Sequence, residues 1–145
     1  MRKNIGLYRG KRLDNGEWVK GYFVKSKYYE GGETYFIIDF DNKYDDYDSF
    51  SLLYPIDPST VGEYTGLTDK NSNRIFEGDV VSGLFLYALP INGVCVFKDG
   101  AFGLEWKRGG AKEFTPFTSM CNVQYEVVGN IHDNPELKGA RNGNT

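Results

Sequence analysis

Glu63-Tyr64-Thr65-Gly66-Leu67-Thr68-Asp69-Lys70-Asn71-Ser72-Asn73-Arg74-Ile75-Phe76-Glu77-Gly78-Asp79-Val80-Val81 is the stretch on which the reading of the fold turns. Two short apolar runs, Tyr64 to Leu67 and Arg74 to Phe76, flank a polar turn from Thr68 to Asn73. Asp and Asn in such a turn bond their own backbone and tolerate a left-handed residue. A second tight turn, Glu77-Gly78-Asp79, then delivers the chain into a β-branched strand start, Val80-Val81. The expectation is a hairpin and a corner, with Glu77 and Asp79 capping amides that a strand ladder does not reach. The competing reading makes Glu77 and Asp79 a paired-carboxylate site. Because the corner must hold strand register, the scaffold reading is preferred.

Working outward, the composition supports strands. The chain has 145 residues, 40% of them apolar, with eleven Tyr, ten Phe, two Trp and eighteen Gly. Aromatics with many glycines favour strands joined by tight turns, and no window carries a sustained helical period. A chain of this length buries about 68–70% of its unfolded surface, enough without metal or disulfide support. The net charge of −3 lacks the global basic footprint of a dedicated nucleic-acid binder. Cys95 and Cys121 are too few and too far apart for a disulfide scaffold. Met1 to Gly10 is basic without an apolar core, which is not the pattern of a signal peptide. The longest apolar run, Leu84 to Ile91, falls short of the ~20 residues of a membrane span. A cytoplasmic protein with reduced thiols is expected.

Upstream of the central stretch, Leu7 to Val24 reads as a hairpin about Asn15-Gly16. A two-residue turn there sets Leu13 opposite Trp18, Lys11 opposite Lys20, Arg9 opposite Tyr22 and Leu7 opposite Val24. Gly10 then faces Gly21, which implies a bulge or a close backbone approach. Arg9, Lys11, Trp18, Lys20 and Tyr22 share one face and form the best candidate binding surface, since basic groups between aromatics grip phosphates and stack bases. The bland alternative has the aromatics facing the core with Arg and Lys stems passing them to water. Thr34 to Ile38 reads as a strand with Tyr35 and Ile37 on one face. Phe50 to Ile56 reads as a strand end stopped by Pro55 and Pro58, and Asp57 to Val61 as a one-turn connector at the softest internal boundary.

Downstream, Val80 to Leu89 reads as a long apolar strand or strand pair closed by Pro90-Ile91-Asn92-Gly93. Val94 to Trp106 folds about Asp99-Gly100, with Phe97 beside Phe102, Cys95 beside Leu104 and Gly93 beside Trp106 on an apolar core face. Lys107 to Lys112 is a basic loop; Phe114 to Phe117 and Val123 to Ile131 are the closing strands. Asn134 caps a short helical turn with Pro135 at its first position. Gly139 to Thr145 is a polar tail. The fold class expected is mainly β: a hairpin-rich N-terminal lobe (1–60) packed on a small SH3-like C-terminal β-barrel (61–137), with little helix and a flexible tail (138–145).

Three separated blocks also carry a resemblance. Thr65 to Asn71 with Ile75 to Val81, an opening formed by Tyr8 to Arg12 and Asp14 to Val19, and a closing Val128-Gly129-Asn130-Ile131 with Asp133-Asn134-Pro135-Glu136-Leu137 resemble YopX-like proteins of phages and prophages. The motif positions Gly66, Asp69, Asn71, Glu77, Gly78, Asp79, Gly129, Asn130, Asn134 and Pro135 are read as structural. Ser72 stands where that family usually has glycine, so Asn71 or Asn73 is expected at positive φ. The resemblance implies a mostly β, phage-derived cytoplasmic protein and no known activity.

Chemical sites fare poorly against bland readings. Asp39, Asp41 and Asp45 are spaced as in a calcium loop, but Lys43 takes a ligand position, Tyr44 replaces the required glycine and Phe50 the bidentate Glu. The segment 39–48 is therefore read as a solvated loop. His132, the only histidine, is a surface or capping residue, and Cys95 a packed thiol. No cofactor is expected. The function expected is a non-enzymatic protein-interaction module, binding a host or phage protein and open to self-assembly through edge strands. Nucleic-acid binding through the basic hairpin and Lys107 to Lys112 is the first alternative, and a metal-dependent hydrolase the last.

Overall fold

Short β-rich runs punctuated by glycine and Asx turns become antiparallel strands. The computed structural model describes residues 6–27, 32–39, 53–86, 88–120 and 125–139. In chain order the strands are β1 (Leu7–Arg12), β2 (Trp18–Lys27), β3 (Glu33–Asp39), β4 (Leu53–Thr68), β5 (Arg74–Phe76), β6 (Asp79–Phe85), β7 (Leu89–Lys98), β8 (Ala101–Arg108), β9 (Ala111–Pro116) and β10 (Glu126–Asn130). Helix among the described residues is limited to 3-10 segments at Phe117–Ser119 and Pro135–Gly139. None is long and apolar enough to cross a membrane. The protein is mainly β, and the chain forms two compact units, Met1–Tyr64 and Thr65–Thr145.

In the first unit the order is β1-β2-β3-β4, and β4 pairs with β1 as well, so the strands return on themselves. Val19, Ile37 and Ile56 form its core, with Tyr8, Phe23, Tyr35, Tyr54 and Val61 packed around them. Tyr35 and Ile37 share the inward face, as their alternation requires. The β1–β2 register differs from expectation by two residues: Arg9 faces Lys20, Lys11 faces Trp18 and Leu7 faces Tyr22. The cause is local. Arg12 N donates to Glu17 O, Asp14 pairs with Arg12, and Asn15 Oδ1 takes the Glu17 amide, so the loop runs from Leu13 to Gly16. A shift of two leaves every side chain on its expected face.

Gly10 and Gly21 do not face each other, but each sits under a close approach. A Cβ on Gly21 would lie 1.7 Å from Ile38 O, and one on Gly10 would lie 3.0 Å from Ile56 Cδ1. The prolines do not stop the strand: β4 runs through both. Pro55 lacks a donor but still accepts, from Leu13 N at 3.0 Å. Asp57 to Val61 is a bulge inside β4, not a connector, with residues 58–61 standing opposite Gly10 alone. There Thr60 Oγ1 accepts the Lys11 amide and donates to Asp57 O, replacing the missing ladder bonds.

Beyond Tyr64 the end of β4 enters the second unit and pairs with β5. The sheet of this unit has the order β10-β6-β7-β8-β9. Asp99 and Gly100 hold φ values of 52° and 80°, the primed-turn geometry whose twist suits a two-residue hairpin. The register follows as expected, with Cys95 facing Leu104 and Phe97 facing Phe102. Ile75, Val81, Ile91, Cys95, Leu104, Trp106, Phe117 and Met120 form the core. Phe97 departs from that expectation. It is 56% exposed, edge-on to Phe102 at 5.0 Å, because the hairpin tip extends past the core.

Two further expectations change. Pro90 to Gly93 lies within β7 rather than closing a strand, with Leu84 opposite Pro90 and Val81 opposite Gly93. The turn falls earlier, about Leu86. Lys107 to Lys112 is a hairpin tip, not a loop: Lys107 faces Lys112 across the Gly109-Gly110 turn.

Candidate functional site

The central stretch folds as a hairpin and a corner. Asp69, 6% exposed, is its hub. Its Oδ1 accepts the amides of Asn71 (2.9 Å) and Asn73 (2.8 Å), while Oδ2 accepts Asn73 Nδ2 (3.3 Å) and the Val127 amide (3.0 Å). Burial pushes this carboxyl up, but the donated bonds, led by Val127 and Asn73, hold it below the ordinary carboxylate range. The turn takes its left-handed residue at Ser72 (φ 65°) and not at Asn71 or Asn73, because both Asn amides point at Asp69. Gly66 also holds positive φ, 87°.

At the corner, Asp79 is 1% exposed and accepts the Phe76 amide at 2.8 Å, the capping role expected of it. Glu77 beside it is half-buried. Gly78 (φ 87°) donates to Cys95 O and accepts from Ile131 N, tying the corner to β7 and to the closing segment. No group of three or more metal-ligating side chains occurs among the described residues.

The closing segment is built on that anchor. Asn130 Oδ1 accepts the amides of His132 and Asp133, and Asn134 N donates to Asn130 O. Asn134 does not cap with its side chain: its carbonyl takes Leu137 N, and Oδ1 turns back toward Asn130 N at 3.4 Å. Pro135 opens the 3-10 turn. The turn seats on Gly129, where a Cβ would lie 2.6 Å from Asn134 Oδ1 and 2.8 Å from Leu137 Cδ1.

This segment forms one wall of a cleft of about 650 Å³ in the second unit, within the usual size of ligand sites. Ile131, Pro135 and Leu137 make the wall, and Val94 and Val96 of β7 are floor residues. Glu105, Lys107 and Lys112 stand at the β8–β9 side. Lys112 Nζ lies 3.2 Å from Glu105, and Lys107 has no ion pair among the described residues. Sequence reasoning missed this site, although a signal existed. Both faces of β7 are apolar, Cys95 on one and Val94 and Val96 on the other, and a strand apolar on both faces should be covered on both.

The structure places the basic and aromatic residues of the first hairpin together on the face opposite the Val19–Ile37–Ile56 core, so Trp18 and Tyr22 do not point into that core. Arg9 is 9% and Tyr22 47% exposed, Lys20 is exposed, and Lys11 and Trp18 are half-buried. The Arg9 guanidinium lies 4.8 Å from the centre of the Trp18 ring and Lys11 Nζ 5.4 Å. Cys95 is packed at 1% exposure and His132 is half-buried beside Gly78. Lys138 and Gly139, expected in the tail, belong to the 3-10 segment Pro135–Gly139, while Cys121, the rest of the tail (140–145) and, apart from Asp39, the acidic positions of 39–48 lie outside the described residues.

Two antiparallel sheets, a carboxylate-centred turn and a closing segment seated on glycine define an all-β protein. Over residues 7–137 the sequence matches the YopX protein family, and the chain belongs to that family. Comparison with curated proteins found no match.

Proposed function

We propose that this YopX family member is a phage or prophage accessory protein of the bacterial cytoplasm that acts without catalysis, by docking a partner protein. One observation carries the reading. The closing segment, part of the family resemblance, is spent on building the wall of an apolar cleft with a charged mouth. Such a combination of apolar floor and few polar groups is what a recognition site needs. The second unit is read as an SH3-like module, supported by its strand order and the 3-10 segment between β9 and β10. Self-assembly by strand addition along β9 belongs to the same proposal, because β9 ends the sheet order.

The test is a pull-down from infected host lysate, with and without nuclease, using the parent and Val96→Glu. Recovery of one protein under both nuclease conditions, lost with Val96→Glu, supports the reading. Recovery abolished by nuclease would instead support nucleic-acid binding through Arg9, Lys11, Trp18, Lys20 and Tyr22. That second reading draws on the face they share. It is weakened because Arg9 and Lys11 already lie over the Trp18 ring that a base would stack on. A metal-dependent hydrolase ranks last and would require thermal stabilisation by magnesium or calcium.

A further inference from the structure

We propose that the cleft of the second unit receives an extended peptide segment of the partner in which an apolar side chain lies close to an Asp or Glu. This rests on the docking reading above and names its ligand. The apolar side chain would sit on Val94 and Val96, against Leu137, replacing water over a floor whose residues are only half-buried. The carboxylate would meet the β8–β9 tip, and the charges there decide its sign.

Lys107 and Lys112 stand directly opposite each other in the ladder, a like-charge arrangement that destabilises a sheet. Glu105 answers Lys112 at 3.2 Å, and Lys107 has no ion pair among the described residues. Among the charged residues that line the cleft, one carboxylate stands with two cations, which leaves the mouth positive in a chain whose net charge is −3. An arriving anion therefore relieves a repulsion the fold has left in place. A local conflict of this kind is expected where a surface serves recognition.

The test is selection from a random dodecapeptide display library on the full chain, followed by titration of the best synthetic peptide against 15N-labelled protein. Expected are peptides with an apolar residue within two positions of Asp or Glu, shifting the amides of Val94, Val96 and Leu137. Affinity should fall about tenfold in Lys107→Glu, since attraction becomes repulsion of similar size, and should weaken with salt. Lys107 is an exposed tip residue, so an unchanged unfolding midpoint verifies that the variant folds. Selected peptides that are neutral or basic, or that shift the Trp18 face instead, overturn this inference and leave the docking function standing. Failure to enrich any peptide, with decanoate alone shifting the cleft amides, overturns both.

Discussion

Replacing Asp69 by Asn changes one atom and should cost the second unit a large part of its stability. The carboxylate serves four donors from within a site that is 6% exposed. Asparagine keeps an oxygen for the Asn71 and Asn73 amides, but its NH2 group then faces the Val127 amide and Asn73 Nδ2, donor against donor. Hydrogen bonds to a charged group contribute about 1.5–3 kcal/mol each, and a buried donor left unsatisfied costs about 1–3 kcal/mol. Losing the Val127 bond and weakening the others should therefore destabilise by about 3 kcal/mol. With a urea m-value of about 2 kcal/mol/M, the midpoint falls by about 1.5 M.

The pH dependence follows from the lowered carboxyl. Its stabilisation is fully present above the unfolded value of about 3.9 and is lost as pH falls below that toward the folded pKa. The parent should lose stability as pH falls below about 4, and Asp69→Asn should show a flatter profile there. Amide exchange at Val127 should accelerate in the variant. A midpoint shift equivalent to less than about 0.5 kcal/mol, or an acid profile identical to the parent, would refute the reasoning.

Ser72→Gly should stabilise by about 1 kcal/mol in the same urea assay, because a serine at φ 65° carries a left-handed penalty that glycine lacks. Gly21→Ala should destabilise by more than about 3 kcal/mol or prevent soluble expression, since its Cβ would lie 1.7 Å from a backbone oxygen that cannot yield locally. Gly129→Ala should displace the Pro135 turn from its seat. Its signature is weaker peptide binding, with chemical-shift changes concentrated at Asn134 and Leu137. Thr115→Val preserves shape but leaves the buried Trp106 indole N–H, now 3.0 Å from Thr115 Oγ1, without that acceptor. A loss of about 1–3 kcal/mol and a shifted Trp emission are expected.

Features governed by neighbouring residues were legible. Asp99-Gly100 named its own turn, and alternation along the flanking strands then set the pairing of Cys95 with Leu104. The face shared by Arg9, Lys11, Trp18 and Lys20 was also readable, because the loop correction at Asp14 and Asn15 moved the register by an even step. The corner role of Asp79 lay within three residues of its partner Phe76. The cleft was harder: Val94 and Val96 signalled a covered face, but what covers it arrives from Leu137.

The sequence by itself carried the family blocks, and it determined the turns at Asp99-Gly100 and at Asp69 to Asn73 and which residues alternate inward, since those features depend on contacts a few residues long. Only the tertiary structure decided that β4 continues through Pro55 and Pro58, that Gly10 lies under Ile56, and that Asp69 reaches Val127 across 58 residues. Such pairings depend on chain segments that closure brings together, and no local propensity encodes which segment will supply the missing donor.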